Sequence, residues 1–232
     1  MLSDQIKTIF FDLDNTLFDH TRAEQTALRL LMQSLPDVFL GVEESELLNV
    51  YHAVNTFLWQ QMAQGQITAD ELKLERFKLV FDELNLRELH LANASERYLQ
   101  FYLKQPFYLP GSEEILKYLK PEYDLGILSN GFAEIQHVKL NHGGLEAFFK
   151  YRVYSENVGA LKPSPLIFAA AKELTGRSQH EIVYVGDVYE SDVLGARAAG
   201  WHAIWFNPDR QVVAGSKADA EIATLLELRE LF

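Results

Sequence analysis

Apolar positions along the chain fall into two regimes. Residues 6–13, IKTIFFDL, make a near-continuous apolar and β-branched run without alternation, the pattern of a strand covered on both faces in a parallel sheet. From about residue 20 to 105 that pattern gives way to helical spacing. Residues 22–35 carry it up to Pro36, and it continues through 43–65, 68–85 and 88–105, with Gly41 and Gly65 marking turns. Thr68 followed three residues later by Glu71 predicts a capping box at one helix start.

Beyond residue 106 strands and helices alternate. The apolar stretch YDLGILSNG (123–131) precedes a helical FAEIQHVKLNHGG (132–144), and YRVYSENVG (151–159) opens on a short strand. LKPSPLIFAAAKELTG (161–176) predicts a helix beginning near Pro163 or Ser164. EIVYVGDVYESDVLGARAAG (181–200) reads as strand, loop and helix, and HAIWFN (202–207) as a further strand. A polar loop over 208–222 then leads into a closing helical stretch. This alternation predicts an α/β fold with a doubly wound, mostly parallel sheet. The expected organisation is a core from residues 1–17 and 107–232, interrupted after its first strand by an all-helical insert, 18–106.

Composition narrows the field. The chain has 232 residues, enough for one large domain or a core with an insert. A formal charge of −12 argues against a nucleic-acid polymer as partner, because such binding rests on Lys and Arg contacts to phosphates. A small anionic substrate remains open if a bound divalent cation offsets the repulsion locally. The absence of cysteine excludes disulfides and thiolate metal sites and fits a cytoplasmic protein. No run approaches the roughly 20 apolar residues of a membrane span. The first residues, MLSDQIKTIFFDLD, mix charge with the apolar run and lack a small-residue cleavage site, so no signal peptide is expected. A monomer or homodimer is expected.

In open α/β sheets ligands bind beyond the carboxyl ends of the strands. Asp12 and Asp14 follow the first strand, Ser129, Asn130 and Gly131 the second, Lys162 the third, and Asp187 and Asp192 the fourth. Each has a plain use alone: the aspartates can form turns, Ser129 can cap a helix, and Lys162 can sit on a loop. Together they suit one chemistry, phosphoryl transfer through an aspartyl-phosphate. Asp12 and Asp187 fit as carboxylate ligands of Mg²⁺, which prefers oxygen donors. A lysine and a hydroxyl beside a helix N-terminus suit the remaining phosphate oxygens. Asp14 points to the same side of an extended backbone as Asp12, so it can protonate a leaving group and then activate water.

The motifs FFDLDNTL, ILSNG, LKP and GDVYESD, in that order, resemble the four motifs of the haloacid dehalogenase (HAD) superfamily phosphatases. The resemblance implies an HAD-like Rossmannoid core and assigns Asp12 as nucleophile and Asp14 as general acid/base. It also implies that Asp14 gives its backbone carbonyl to Mg²⁺ and that Asp187 binds the ion directly. By the same likeness, Ser129 and Lys162 would hold the phosphoryl group, Thr16 would steady the nucleophile loop, and Asp192 would support the metal or Lys162. True dehalogenases resemble this fold without the second aspartate, so Asp14 favours phosphate esters. A non-enzymatic binding module would be expected to lack a motif residue, and none is missing.

An insert directly after the first motif resembles the C1-type cap. Residues 51–77, with SNGFAEIQHVKL and GDVYESDVLGARAAG, are similar to the YjjG/YfnB-type pyrimidine 5′-nucleotidases. That likeness implies nucleoside monophosphates as substrates, in pyrimidine, deoxy or modified forms. Sugar phosphates or phosphoglycolate are the alternative, and a phosphomutase a third option. Within the insert, Asn55 and Trp59 are four residues apart on one helix face and suit hydrogen bonding and stacking on a base. Trp59 equally suits packing inside the cap, and Arg76 either touches substrate or pairs with a cap carboxylate. Hinges are expected near 17–21 and 104–110, where Pro106 and Pro110 restrict the second linker.

Overall fold

The computed structural model describes residues 5–87, 90–105 and 107–232. The first four residues, the start of the helical pattern at 88–89, and Pro106 with its expected hinge role lie outside the described residues. The chain divides into two compact units, Met1–Asp19 with Phe107–Phe232, and His20–Pro106.

Among the described residues, the first unit is built on six parallel strands: β1 (Thr8–Phe11), β2 (Asp124–Ser129), β3 (Tyr151–Tyr154), β4 (Ile182–Gly186), β5 (His202–Phe206) and β6 (Ala220–Ile222). Their order across the sheet is β3-β2-β1-β4-β5-β6. Every residue of β1 is buried, as its unbroken apolar run requires for a central strand covered on both faces. Phe11 pairs with Ile127 of β2 on one side and Val185 of β4 on the other. The strand order reverses direction at β1, so the crevice beyond β1 and β4 is the topological switch point where such sheets bind ligands.

The helices of this unit share its labels in chain order with those of the insert. The insert carries α1 (His20–Ser34), α2 (Glu44–Ala63), α3 (Ala69–Glu83) and α4 (Leu91–Leu103). The core adds α5 (Ser112–Leu119), α6 (Ala133–His142), α7 (Ser155–Val158), α8 (Pro165–Thr175), α9 (Leu194–Ala198) and α10 (Leu228–Leu231). One hydrophobic cluster joins Phe10, Phe168, Tyr184, Trp201 and Trp205, with Phe10 and Trp201 stacked at 5.4 Å between ring centroids. Burying each such aromatic is worth about 1.5–3 kcal/mol.

Three details differ from the sequence expectation. The polar loop after β5 ends in β6, a three-residue edge strand whose Glu221 pairs with Trp205. The loop expected after β4 is wound as a wide π-helical turn, Tyr189–Val193, running straight into α9. Helix α8 begins at Pro165, with Ser164 as N-cap accepting from the Leu166 N–H; Pro at the first helical position loses no hydrogen bond.

The second unit is a helical bundle in which α1 packs on α4 and α2 on α3. Tyr51, Phe77 and Tyr98 form its aromatic centre, with ring centroids 5.1–5.8 Å apart. Thr68 and Glu71 close the expected capping box, the Thr68 N–H donating to Glu71 Oε2 at 2.7 Å.

Candidate active site

The loop after β1 turns tightly, with the Phe18 N–H reaching the Leu13 carbonyl at 2.8 Å and Asn15 at φ 60°. Asparagine tolerates that left-handed conformation better than most side chains. The loop leaves Asp12 buried at the strand end and Asp14 half-exposed beyond it. The segment that follows is tied down by pairing across the core's two chain crossings, Leu109 N–H to Leu17 O at 2.9 Å and Asp19 N–H to Phe107 O at 2.8 Å.

Lys162 is the centre of the site. Its Nζ donates to Asp12 Oδ1 at 2.6 Å and to the Tyr184 hydroxyl at 2.7 Å, and lies 2.9 Å from Asp192 Oδ1. The three ammonium protons are thereby matched by three acceptors. Tyr184 passes the chain on, donating to the Leu128 carbonyl at 2.7 Å. The Asn130 amide grips the Lys162 backbone from both sides, accepting from its N–H at 2.7 Å and donating to its carbonyl at 3.1 Å. The side chain of Asn130 therefore acts on Lys162.

Asp192 belongs to the same group through the wide turn after β4. Its second oxygen accepts the Val188 N–H at 3.0 Å. A Cβ at position 186 would collide with the Asp192 carboxylate, which explains Gly186. Thr16 is buried and donates to Asp187 Oδ1 at 3.0 Å, joining the loops that follow β1 and β4.

Carboxylate oxygens of Asp12, Asp187 and Asp192 lie within 4.8 Å of one another. Three carboxylates thus face one ammonium. Burial, reinforced by Asp192 and Asp187, pushes the Asp12 carboxyl up to about 8 despite Lys162. Burial and Asp192 push Asp187 up to about 6. Burial alone would lower Lys162, but Asp12 and Asp192 outweigh it and hold the ammonium above the ordinary lysine range. The lysine keeps its proton and the excess negative charge falls on the carboxylates. A clustered set of hard oxygen donors with unbalanced negative charge fits Mg²⁺.

The rest of the expected set gathers beside this group. Ser129 is buried at the end of β2 and accepts from the Gly131 N–H at 3.1 Å. Gln136 Nε2 lies 2.9 Å from Ser129 Oγ and 2.7 Å from Asp14 Oδ2, and Lys139 Nζ lies 2.5 Å from Asp14 Oδ1. Gln136, Lys139 and Tyr184 escaped the sequence reading. The only signal was polarity on otherwise buried faces of α6 and β4.

The three insert residues sit in the helical unit. Asn55 is half-buried, and its Oδ1 has no hydrogen-bond partner among the described residues. Trp59 is half-buried. Arg76 donates to the Tyr51 hydroxyl at 3.2 Å, so its pairing is with a tyrosine, and Tyr51 in turn donates to Tyr98 at 2.7 Å.

A parallel sheet with carboxylates, a lysine and a serine gathered at its switch point is the arrangement of an α/β ligand site, and the comparisons with known proteins give its class. A family profile of haloacid dehalogenase-like hydrolases matches residues 6–200. The pyrimidine 5′-nucleotidase YjjG of Escherichia coli is 32% identical over 96% of this chain and 96% of its own. A glyceraldehyde 3-phosphate phosphatase of Methanothermobacter thermautotrophicus is 30% identical over 88% of this chain and 87% of its own. A magnesium-bound crystal structure of the HAD-hydrolase YfnB from Bacillus subtilis superposes with a TM-score of 0.86 at 28% identity, covering 98% of each chain. The protein belongs to the haloacid dehalogenase-like hydrolases.

Proposed function

We propose that this enzyme is a Mg²⁺-dependent phosphomonoesterase that works through an aspartyl-phosphate on Asp12, and that its substrates are small nucleoside 5′-monophosphates. The observation that carries the reading is the buried Lys162–Asp12 pair at 2.6 Å, with Asp14 two residues further along the same loop. Asp12 attacks phosphorus; the ester P–O bond breaks and the leaving oxygen takes a proton from Asp14. Water then attacks the aspartyl-phosphate, Asp14 takes the water proton, and the bond from Asp12 to phosphorus breaks to release phosphate. Lys162 and Ser129 hold the phosphoryl oxygens, with Asn130 and Gly131 bordering them. When bound, Mg²⁺ would supply charge neutralisation across the transferring group, held by Asp12, Asp187 and the Asp14 carbonyl. Asn55, Trp59 and Arg76 of the cap are the residues assigned to the base. The likeness to YjjG, a pyrimidine 5′-nucleotidase, supports pyrimidine nucleotides among these substrates. The likeness to a glyceraldehyde 3-phosphate phosphatase supports a second reading, a sugar-phosphate phosphatase with the same chemistry.

Asp12→Asn is expected to reduce p-nitrophenyl phosphate hydrolysis to background while the protein remains folded, as circular dichroism would show. Substantial residual turnover would remove Asp12 as nucleophile. Hydrolysis should stop in EDTA and return with Mg²⁺. Phosphate release measured across nucleoside monophosphates, sugar phosphates and phosphoglycolate separates the two substrate readings.

A further inference from the structure

Helix α6 presents a buried polar face that the reaction outlined above does not use. Gln136 and Lys139 are one turn apart and almost fully buried, at 0% and 4% exposure. Burying an ammonium is costly unless it is paired, and Lys139 is paired with Asp14. The two side chains divide the carboxylate between them, Lys139 Nζ on Oδ1 at 2.5 Å and Gln136 Nε2 on Oδ2 at 2.7 Å. We propose that Lys139 and Gln136 are positioning residues that hold Asp14 in the orientation in which it exchanges a proton with the leaving group. This inference rests on the phosphatase reading and deepens it.

Four features of the surroundings support this assignment. Asp12 and Asp14 are served by different lysines, Lys162 and Lys139, so each aspartate is oriented independently. Gln136 also reaches Ser129 Oγ at 2.9 Å, tying the proposed acid/base to a phosphate-binding residue. A Cβ at position 131 would overlap the Gln136 amide, so Gly131 leaves room for this bridge. Lys139 is fixed at both ends: its Nζ lies 4.7 Å from the centroid of the Phe18 ring, and its carbonyl accepts from the Tyr108 hydroxyl at 2.5 Å. Replacing both partners of a buried ion pair by apolar packing is often neutral for stability, so stability alone is a weak reason for keeping one. A proton donor aimed at a fixed point is a stronger reason, because misplacement of a reacting group slows the step it serves.

A proton from Asp14 matters when the leaving alcohol is poor and little when it is good. The test follows single-turnover alcohol release from β-glycerophosphate, an alkyl ester, and from p-nitrophenyl phosphate, whose leaving group needs no proton. Lys139→Met is expected to slow the alkyl ester by about tenfold to a hundredfold while p-nitrophenol release changes by less than about threefold; Gln136→Leu, which also frees Ser129, is expected to slow both esters but the alkyl ester by about tenfold more. Added to Asp14→Asn, Lys139→Met should cause no further loss, because its effect passes through Asp14. Equal loss on both esters, or a further loss in the Asp14→Asn background, would overturn the assignment. Should Lys139→Met fail to fold, the neutral Gln136→Leu variant carries the same comparison. Asp12→Asn keeps the two readings apart: if it is inactive while the losses are uniform, the phosphatase reading stands and only the positioning role falls.

Discussion

Lys162 shows how much of this site depends on single hydrogen bonds. Its ammonium is buried and saturated by Asp12, Asp192 and the Tyr184 hydroxyl. Tyr184→Phe removes one acceptor from a charged buried donor and the hydroxyl donor from the Leu128 carbonyl. Leaving such a group unpaired costs about 1–3 kcal/mol. Urea unfolding should show that loss, accompanied by slower turnover as Lys162 loosens; unchanged stability would mean that the Tyr184 contact contributes nothing net. Asp12, Lys162 and Ser129 could be singled out as candidates in the sequence because each follows a recognisable strand. Tyr184 could not, since a tyrosine inside an apolar strand looks the same whether its hydroxyl is used or merely accommodated.

Among the elements, the helices of the insert were legible from periodicity and capping alone. Thr68 illustrates the point: its side chain and that of Glu71 satisfy each other's backbone N–H groups at the start of α3. Thr68→Ala is expected to cost about 1 kcal/mol, seen as a lower unfolding midpoint with p-nitrophenyl phosphate turnover unchanged. Strand β6 was not legible, because three residues at a sheet edge need no apolar run and draw their order from pairing with β5. The wide turn Tyr189–Val193 also has no sequence signature of its own. It is explained by what it accomplishes, bringing Asp192 back to Lys162 and the Val188 N–H.

On the scale of the whole molecule, the strand order β3-β2-β1-β4-β5-β6 gathers polar and charged side chains from four strand exits at one switch point. That concentration of acid makes stability depend on pH. In the metal-free protein Asp12 and Asp187 are raised from 3.8 to about 8 and about 6, so between those values the folded state holds protons that the unfolded chain has released. Their contribution to stability is complete below the unfolded value and is lost as pH rises through the folded ones. The melting temperature of the metal-free protein should therefore fall as pH climbs from about 4 to about 8, and Mg²⁺ should raise it more at the upper end than at the lower. A Mg²⁺ effect independent of pH would contradict the shared carboxylate site.

The sequence by itself determined the alternation of strands and helices, the helical insert and the motif residues, because these follow from local periodicity and from short spacings at strand ends. Only the tertiary structure decided which side chains meet across the chain. Lys139 reaches Asp14 from 125 positions away, and Lys162 reaches Asp12 from 150. A local pattern can say that a residue is polar and sits on a buried face. Which group it satisfies there depends on how separate strands and helices pack, and that is settled only when the sheet has closed around the switch point.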